Sequence, residues 1–321
     1  MRSKYLVGVD GGGTKTIAVA ANEDGTVLAV ERGDGINYHT IGMDQARSNL
    51  KEILDRLQAR IDGECAEVTV GMPALDMPAD RKLTAAFAGT SFDANLLDLQ
   101  SDAYITLMGF TLGKPGMIVI CGTGSILLMV DVQKHQHVRG GWGYLLGDAG
   151  SGYALAIGGL QAAIREWENV GGKTALSEAA MAHFKLHHPR DLINVVYSPK
   201  CTQAEIAQFG RIVLRCCASG DEEAIRVTRS NMAAIAANAA EMINRVPEAN
   251  QVGIWGSVLT NNPCARDIFS SELLSRCPQA VIIRPEFPPE LGAVIHSMSK
   301  RGALKDEALK NLKESYAEQK A

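Results

Sequence analysis

Two glycine-rich turns, about a third of the chain apart, are the segments of this sequence best suited to holding a phosphate chain. Each follows an apolar run. A glycine turn lets backbone N–H groups approach a phosphate closely, because no Cβ blocks the way. One such turn is weak evidence, but two together suggest a nucleotide gripped from both sides. The first turn is Gly11, Gly12, Gly13 and Thr14, and the second is Gly122, Thr123, Gly124 and Ser125.

Two carboxylates have the chemistry that phosphoryl transfer needs. Asp10 directly precedes the first turn, where it could face Mg²⁺ directly or through water, or could accept hydrogen bonds from turn N–H groups. Three glycines are costly for a mere turn, which favours magnesium. Asp102 follows an apolar stretch and opens a predicted helix, so it could be a general base or simply a helix N-cap. The pattern alone leaves both interpretations of Asp102 open.

A third region is dense in glycine and carries an aromatic ring and a carboxylate, with Gly141, Trp142 and Asp148 inside residues 140–152. A ring face can stack on a sugar, and a carboxylate can accept hydrogen bonds from hydroxyl groups. The alternative is a mobile linker in which Asp148 caps the next helix. Asn37 is a similar candidate, although a turn asparagine is the plainer explanation.

A further strand-like run ends at Gly256 and Ser257, which could lie against an adenosine or simply turn the chain. His135 and His137 alternate on a predicted strand, but a surface hairpin is favoured over a metal site because no third ligand is near in sequence. The seven cysteines are odd in number and none forms a C-x-x-C pair. We therefore expect free thiols rather than a disulfide framework or a metal knuckle.

Composition limits the partners of the chain. With 321 residues and 46% hydrophobic content, it has room for two domains with sizeable cores. The net charge of -4 provides no basic excess for nucleic acid and no polybasic tail for a membrane. No apolar stretch approaches the ~20 residues that span a bilayer, and the N-terminus does not resemble a signal peptide. We expect a cytoplasmic protein with neither nucleic acid nor membrane as a partner.

The elements that must position these residues form two successive α/β runs, separated by the breaker segment 113–116. This repeat predicts an α/β protein with domains at 1–114 and 115–300 and a helical tail at 301–321. Two such domains facing each other would place both turns at one cleft. The first run has strands at 4–10, 15–22, 26–32, 68–70 and 96–99, with helices at 43–60, 78–88 and 102–109. The second has strands at 117–121, 125–132, 136–141, 251–255 and 280–284, with helices at 149–167, 174–185, 202–218, 221–245, 265–275 and from 288.

Taken in order, these segments resemble the N-acetylglucosamine kinase branch of the BadF/BadG/BcrA/BcrD ATPase family, within the superfamily of actin, hexokinase and heat-shock chaperone ATPases. The resemblance implies two ribonuclease-H-like domains, with a cleft between them that closes on ATP and an amino sugar. It also implies ATP-dependent phosphorylation of a 6-hydroxyl, that of N-acetyl-D-glucosamine first, with glucosamine or another hexosamine as the alternative. The segments that carry it are Val9 to Thr14, Asn37, Asp102-Ala103, Cys121 to Ser125, Gly141 to Gly143 with Gly147-Asp148, and Trp255 to Ser257.

By matching positions, the resemblance also implies a role for each site residue. Asp102 would accept the proton of the sugar hydroxyl, and Asp10 would face Mg²⁺. The two turns, 11–14 and 122–125, would form the phosphate loops, and Gly256 and Ser257 would lie beside the adenosine. Relatives in the family often form homodimers, although no segment here reads as an interface. The implied sugar contacts are Asn37, Asp102, Ser125, Gly141, Trp142 and Asp148.

Two other functions fit the sequence less well. Another branch of the family activates dehydratases through a cluster held by cysteines at a dimer interface, and none of the seven cysteines has an obvious paired setting. Sugar-sensing regulators of the superfamily carry an additional DNA-binding domain. The first strand begins at about Tyr5, and the tail after Arg301 is short and mixed in charge, so we expect no such domain.

Overall fold

The computed structural model describes residues 3–73, 75, 87 and 93–320, and these form two compact units. The N-terminal unit comprises residues 1–118 and 284–321, and the central unit comprises residues 119–283. The helix predicted over 78–88 lies, apart from Phe87, outside the described residues. No helix in the described part of the chain is long and apolar enough to cross a bilayer.

The N-terminal unit is built on a five-stranded sheet with the order β3-β2-β1-β4-β5. β1, β2 and β3 pair antiparallel, whereas β4 and β5 run parallel to β1. The carboxyl ends of β1, β4 and β5 therefore meet at one edge of this sheet. The elements are β1 (Lys4–Gly11), β2 (Lys15–Asn22), β3 (Val27–Asp34), α1 (Tyr38–Ile41), α2 (Met43–Gln58), β4 (Glu64–Met72), β5 (Leu97–Ser101) and α3 (Asp102–Thr111).

The central unit is built on a second five-stranded sheet, with the order β10-β9-β6-β7-β8. β6 begins just before the division between the units. The elements are β6 (Gly116–Cys121), β7 (Ser125–Val130), β8 (Gln136–Gly140), α4 (Gly152–Trp167), α5 (Ala175–His183), α6 (Asp191–Val196), α7 (Gln203–Ala218), α8 (Glu222–Arg245), β9 (Gln251–Trp255), α9 (Ser257–Asn261), α10 (Pro263–Arg276) and β10 (Val281–Ile283).

After β10 the chain returns to the N-terminal unit as α11 (Pro289–Lys300) and α12 (Asp306–Lys320). The sequence-based boundaries, which placed 115–300 in one domain and 301–321 in a separate tail, therefore differ from the structure. The physical reason is the apolar face of α11, where Leu291, Val294 and Met298 share a buried core with Leu6 of β1. Local pattern does not reveal which sheet such a face will cover.

β1 is buried on both faces, which explains its nearly continuous apolar sequence. Tyr5, Val7 and Val9 share one core with the apolar stripe of α2. Leu6, on the other face, lies in the core formed with α11 and α12. Because helices pack on both faces of β1, the residues that follow Val9 are held at a defined edge of the sheet.

Candidate active site

The first glycine turn joins β1 to β2 and is tightly packed at its start. A Cβ on Gly11 would lie 2.3 Å from Ile36 Cδ1, and one on Gly12 would lie 2.7 Å from the carbonyl oxygen of Lys15. A Cβ on Gly13, in contrast, would have no described atom within 4 Å. Packing therefore explains the first two glycines but not the third. Gly13 and Thr14 are exposed, which leaves their backbone accessible to a ligand.

Asp10 stands at the end of β1, opposite Gly71 of β4 in the parallel register. Burial raises the pKa of this carboxyl to about 7, and the negative charges of Glu290 and Asp102 add to the shift. Lys15 opposes it only in part. The charges of Asp102 and Glu290 therefore both act on Asp10, in addition to its burial.

Asp102 is the first residue of α3, but it is not the N-cap. Ser101 occupies the cap position, and its hydroxyl accepts a hydrogen bond of 3.0 Å from the N–H of Tyr104. The N-cap interpretation of Asp102 is therefore wrong. Because β5 is parallel to β4 and β4 to β1, the end of β5 brings Asp102 to the same sheet edge as Asp10. This is the edge at which open α/β sheets bind ligands.

Glu290, in the first turn of α11, is a further candidate site residue, which the sequence pattern did not single out. Its side chain is only 3% exposed, and it accepts a hydrogen bond from the hydroxyl of Tyr316 in α12. Burial and the charge of Glu290 raise the pKa of Tyr316. The backbone of α11 approaches β1 closely, since a Cβ on Gly8 would lie 2.4 Å from the carbonyl oxygen of Glu290. The only signal in the sequence was a charged residue in an otherwise apolar helix start.

Asp10, at the carboxyl edge of the first sheet, is the carboxylate of this region best placed to face a divalent cation. Mg²⁺ prefers oxygen ligands and binds through one or two carboxylates while keeping several waters. A cation there would offset the burial of the Asp10 charge and the negative charges of Glu290 and Asp102, which together raise the pKa of Asp10. Of the three residues, Asp10 is the one placed at the glycine turn itself.

The second glycine turn joins β6 to β7 and accepts hydrogen bonds from the start of α4. The N–H groups of Gly152 and Tyr153 donate to the carbonyl oxygens of Gly122 (2.7 Å) and Thr123 (3.3 Å). Ser125 is buried, and its hydroxyl donates to the carbonyl oxygen of Ala149 at 2.8 Å. The Ser125 hydroxyl is thus used inside the protein, whereas Thr123 is exposed at the tip of the turn.

Asp148 packs against this second turn and combines burial with an unusual backbone conformation and an unpaired oxygen. It is 5% exposed, has a left-handed backbone (φ +64°), and its Oδ1 has no hydrogen-bond partner among the described residues. Burial raises its pKa, while the N–H groups of Ser125 and Gly143 act in the opposite direction. The cap of α4 is Ser151, so the helix-cap interpretation of Asp148 is wrong. A buried polar atom without a partner is costly, and a ligand hydroxyl is a suitable partner.

Trp142 lies in the loop before Asp148 and is 74% exposed. The loop lies inside the central unit, between β8 and α4, so it does not link the two units. Gly141 and Gly143 have positive φ angles, and the N–H of Gly147 donates to the carbonyl oxygen of Gly143 at 2.9 Å. Core packing does not account for an indole exposed to this degree, which leaves it available to a ligand.

Asn37 is the N-cap of α1, and its side chain accepts a hydrogen bond of 3.1 Å from the N–H of His39. This is the local role that the plainer explanation predicted for it. It lies in the N-terminal unit, whereas Trp142 and Asp148 lie in the central unit.

A cavity of about 560 Å³ in the central unit adjoins the second glycine turn. Gly256 directly precedes the lining residue Ser257, and its backbone (φ +87°) packs so closely on β6 that a Cβ would lie 2.3 Å from the carbonyl oxygen of Cys121. The size is within the usual range for a small-molecule site. The lining includes Gly122, Thr123, Gln208, Arg211, Arg215 and Ser257.

Glu67, Asp98 and His296 form a separate group of possible metal ligands in the N-terminal unit. The ammonium group of Lys300 lies 2.7 Å from Glu67 and 2.6 Å from Asp98, and His296 Nε2 lies 3.0 Å from Asp98. These contacts hold the pKa of Asp98 well below its usual range. The group is therefore satisfied as an ion-pair network that ties α11 to β4 and β5.

Comparison with known proteins gives one family. The profile of the BadF/BadG/BcrA/BcrD ATPase family matches residues 7–297. The N-acetyl-D-glucosamine kinase of Dictyostelium discoideum is 30% identical, over 94% of this chain and 100% of its own length. The N-acetylmuramic acid/N-acetylglucosamine kinase of Clostridium acetobutylicum is 28% identical, over 92% of this chain and 99% of its own length.

Solved structures agree on the fold. One from Chromobacterium violaceum, described as a proposed N-acetylglucosamine kinase, superposes with a TM-score of 0.74 at 25% identity. The superposition covers 93% of this chain and 99% of the other. A glucokinase of the ROK family from Streptomyces griseus superposes with a TM-score of 0.53 at 16% identity, covering 91% and 97% of the two chains.

Proposed function

This chain belongs to the BadF/BadG/BcrA/BcrD ATPase family, and from that premise we propose that it is an ATP-dependent kinase of amino sugars. It transfers the terminal phosphoryl group of ATP to the 6-hydroxyl of the sugar, and N-acetyl-D-glucosamine is the preferred acceptor. Its full-length relatives with 28–30% identity are kinases named for N-acetylglucosamine, which supports this acceptor.

The observation that carries the proposal is the position of Asp102. It shares the carboxyl edge of the first sheet with Asp10, and helix capping does not explain it because Ser101 is the cap. A general base must be a carboxylate or similar group within hydrogen-bond reach of the hydroxyl. Asp102 accepts the proton of the 6-hydroxyl as the sugar oxygen forms its bond to phosphorus, and the bond between phosphorus and the ADP oxygen breaks.

Asp10 and the two glycine turns serve the phosphate chain. Mg²⁺, when bound, neutralises charge on the phosphate oxygens during transfer. Asp10 would hold this ion with its water shell, and the buried Glu290 adds negative charge beside it. The exposed backbone at Gly13 and at Thr123 offers N–H groups to the phosphates.

In this proposal the nucleoside and the sugar contact different parts of the central unit. The adenosine lies in the cavity beside Gly256 and Ser257, where Arg211 and Arg215 add positive charge. The unpartnered Oδ1 of Asp148 accepts a hydrogen bond from a sugar hydroxyl, and the exposed indole of Trp142 stacks on the sugar. Gly141 shapes the same loop, and Asn37 and Ser125 complete the set proposed to contact the sugar.

A panel of hexosamines in one coupled assay of ADP release tests the function. N-acetyl-D-glucosamine, glucosamine, N-acetylmannosamine, N-acetylmuramic acid and glucose are compared at equal concentration, each with and without Mg²⁺. We expect ADP release to require both the ion and a sugar, with the highest kcat/KM for N-acetyl-D-glucosamine. Equal ATP turnover with and without sugar would overturn the kinase, and a preference for glucose would overturn the amino-sugar assignment.

A further inference from the structure

Cys217 and Cys264 bring two thiols together at the junction of two helices. Cys217 lies in the last turn of α7 and Cys264 is the second residue of α10. Their sulfur atoms are 2.7 Å apart, although the residues are 47 positions apart in sequence. A disulfide bond is about 2.05 Å long, so a small side-chain adjustment would allow the bond to form. Both cysteines are free in this structure.

We propose that Cys217 and Cys264 form a reversible oxidation site, at which a peroxide joins the two thiols in a disulfide that ties α7 to α10. Hydrogen peroxide first oxidises one thiol to a sulfenic acid and releases water. The second thiol then attacks that sulfur, the S–O bond breaks, and a second water leaves. Both sulfur atoms are oxidised, both peroxide oxygens are reduced, and the two thiol hydrogens end in the waters.

The burial of the two side chains indicates the order of the steps. Cys264 is half-buried, whereas Cys217 is only 3% exposed, so the oxidant reaches Cys264 first and Cys217 resolves the sulfenic acid. Burial and the neighbouring Cys217 and Asp267 raise the pKa of Cys264 to about 12. The thiolate is the reactive form, so the reaction is slow at neutral pH and accelerates as the pH rises. Proximity selects the pair, and the thiolate fraction sets the rate.

The site adjoins the cavity of the central unit. Arg215, two residues before Cys217, and Asn262, two residues before Cys264, both line that cavity. A disulfide would therefore fix the spacing of two segments of the cavity wall. It would also close a loop of 47 residues in the unfolded chain, which restricts that state and stabilises the folded one. We expect a rise of about 5–10 °C in Tm on oxidation.

Peptide mapping of the full-length protein tests the bond directly. The protein is treated with hydrogen peroxide at pH 8, remaining thiols are alkylated, and trypsin releases the peptides 216–226 and 246–266. We expect these two peptides to be joined, with a mass two hydrogens below their sum, and to separate after dithiothreitol. The rise in Tm should disappear with the same reductant.

Cys216 supplies the matched control, because it adjoins Cys217 and shares its tryptic peptide. Cys216→Ser should retain the joined peptides and the Tm shift, whereas Cys264→Ser should lose both. The peptide map of the wild-type protein tests the proposal even if a variant folds poorly. Alkylation of both Cys217 and Cys264 after oxidation, or a link that vanishes in Cys216→Ser, would overturn the proposal. The mapping does not depend on the kinase assignment, so the two can fail separately.

Discussion

The two glycine turns have similar sequences but opposite electrostatic surroundings. The turn of the N-terminal unit follows Asp10, which is repelled by Asp102 and by Glu290. The turn of the central unit contacts a single carboxylate, Asp148, which the N–H groups of Ser125 and Gly143 partly stabilise. The first turn thus gathers negative charge, and the second adjoins a cavity with two arginines.

This difference separates two tasks that one motif type can serve. Neighbouring buried carboxylates are costly unless a cation or a proton offsets their charge, which is why we propose metal and base roles for carboxylates of the N-terminal unit. A lone buried carboxylate with an unused oxygen suits recognition of a neutral hydroxyl. The comparison teaches that the turn itself does not define the role, which depends on the groups packed around it.

The largest effect on activity is expected for Asp102→Asn, in the N-terminal unit. The amide keeps the shape and the acceptor for the N–H of Ala103 but cannot take a proton. We expect kcat to fall about 10²–10⁴-fold, with ATP and sugar affinity nearly unchanged. Initial rates and calorimetric binding measure the two effects.

The control is Ser101→Ala, which removes the true cap of the same helix. It should lower stability by about 1 kcal/mol while kcat remains within a few-fold. If Asp102→Asn retained more than a tenth of the activity, Asp102 would not be the base.

Asp148→Asn would test the recognition role of the central unit. Asparagine tolerates the left-handed backbone, so the loop should persist. We expect the KM for the sugar to rise about 10–100-fold, because a hydrogen bond to a charged group is lost, with a smaller change in kcat. Steady-state kinetics separates the two parameters.

Asp131→Asn is the comparison variant for this test, since Asp131 is also buried in the central unit but is held by His135 and His137. It should leave the sugar KM unchanged. A drop in kcat without a rise in KM for Asp148→Asn would contradict a binding role.

The pH dependence of stability should reveal the raised pKa of Asp10 in the N-terminal unit. The pKa of Asp10 is about 7 when folded against 3.8 for an ordinary aspartate, so the unfolded chain loses this proton first. Without Mg²⁺, Asp10 therefore costs little below pH 4, destabilises the fold increasingly up to about pH 7, and does so fully above it. Asp10→Asn should be more stable than the wild type by about 2 kcal/mol at pH 8.

Denaturant unfolding of both forms at pH 5 and pH 8 checks this sign, and the gap between them should widen with pH. A gap that narrows would show that folding does not raise the pKa of Asp10. Adding Mg²⁺ should stabilise the wild type but not Asp10→Asn, and this stabilisation should grow as the pH rises through 7.

The smallest effect is expected for Gly124→Ala, which tests how the second turn packs against Asp148. Its Cβ would lie 2.8 Å from Asp148 Oδ2, whereas a Cβ on Gly122 would meet no described atom within 4 Å. We expect Gly124→Ala to lose about 1 kcal/mol of stability in the absence of ligand, because the carboxylate must shift. Gly122→Ala should lose less, and equal losses in thermal unfolding would mean that Asp148 is not held against the turn.

Much of the fold followed from local pattern. The apolar spacing of Ala46, Leu50, Ile53, Leu54 and Leu57 predicted a helix at 43–60, and α2 buries all five side chains. The predicted strand at 251–255 has the bounds of β9. The predicted family is confirmed, and the two α/β units agree with the predicted fold class. The short helices α6 and α9 were missed, because segments of five or six residues hold too few positions to display a period.

The candidate site was predictable in part. Glycine turns and flanking carboxylates are visible in sequence because their function depends on residue type. Glu290 and Tyr316 were not visible, since they come together only when α11 and α12 cover the first sheet. The same holds for Cys217 and Cys264, whose spacing of 47 residues matches no local motif.

The sequence by itself determined the two turns, the carboxylates beside them and the periodicity of most elements, because these properties are local. Only the tertiary structure decided that Ser101 and Ser151 are the caps, that Asp148 is buried with one unpaired oxygen, and that α11 rejoins the N-terminal unit. Burial and repulsion depend on groups distant in the chain. The physical state of each carboxylate is therefore a property of the fold, whereas its presence is a property of the sequence.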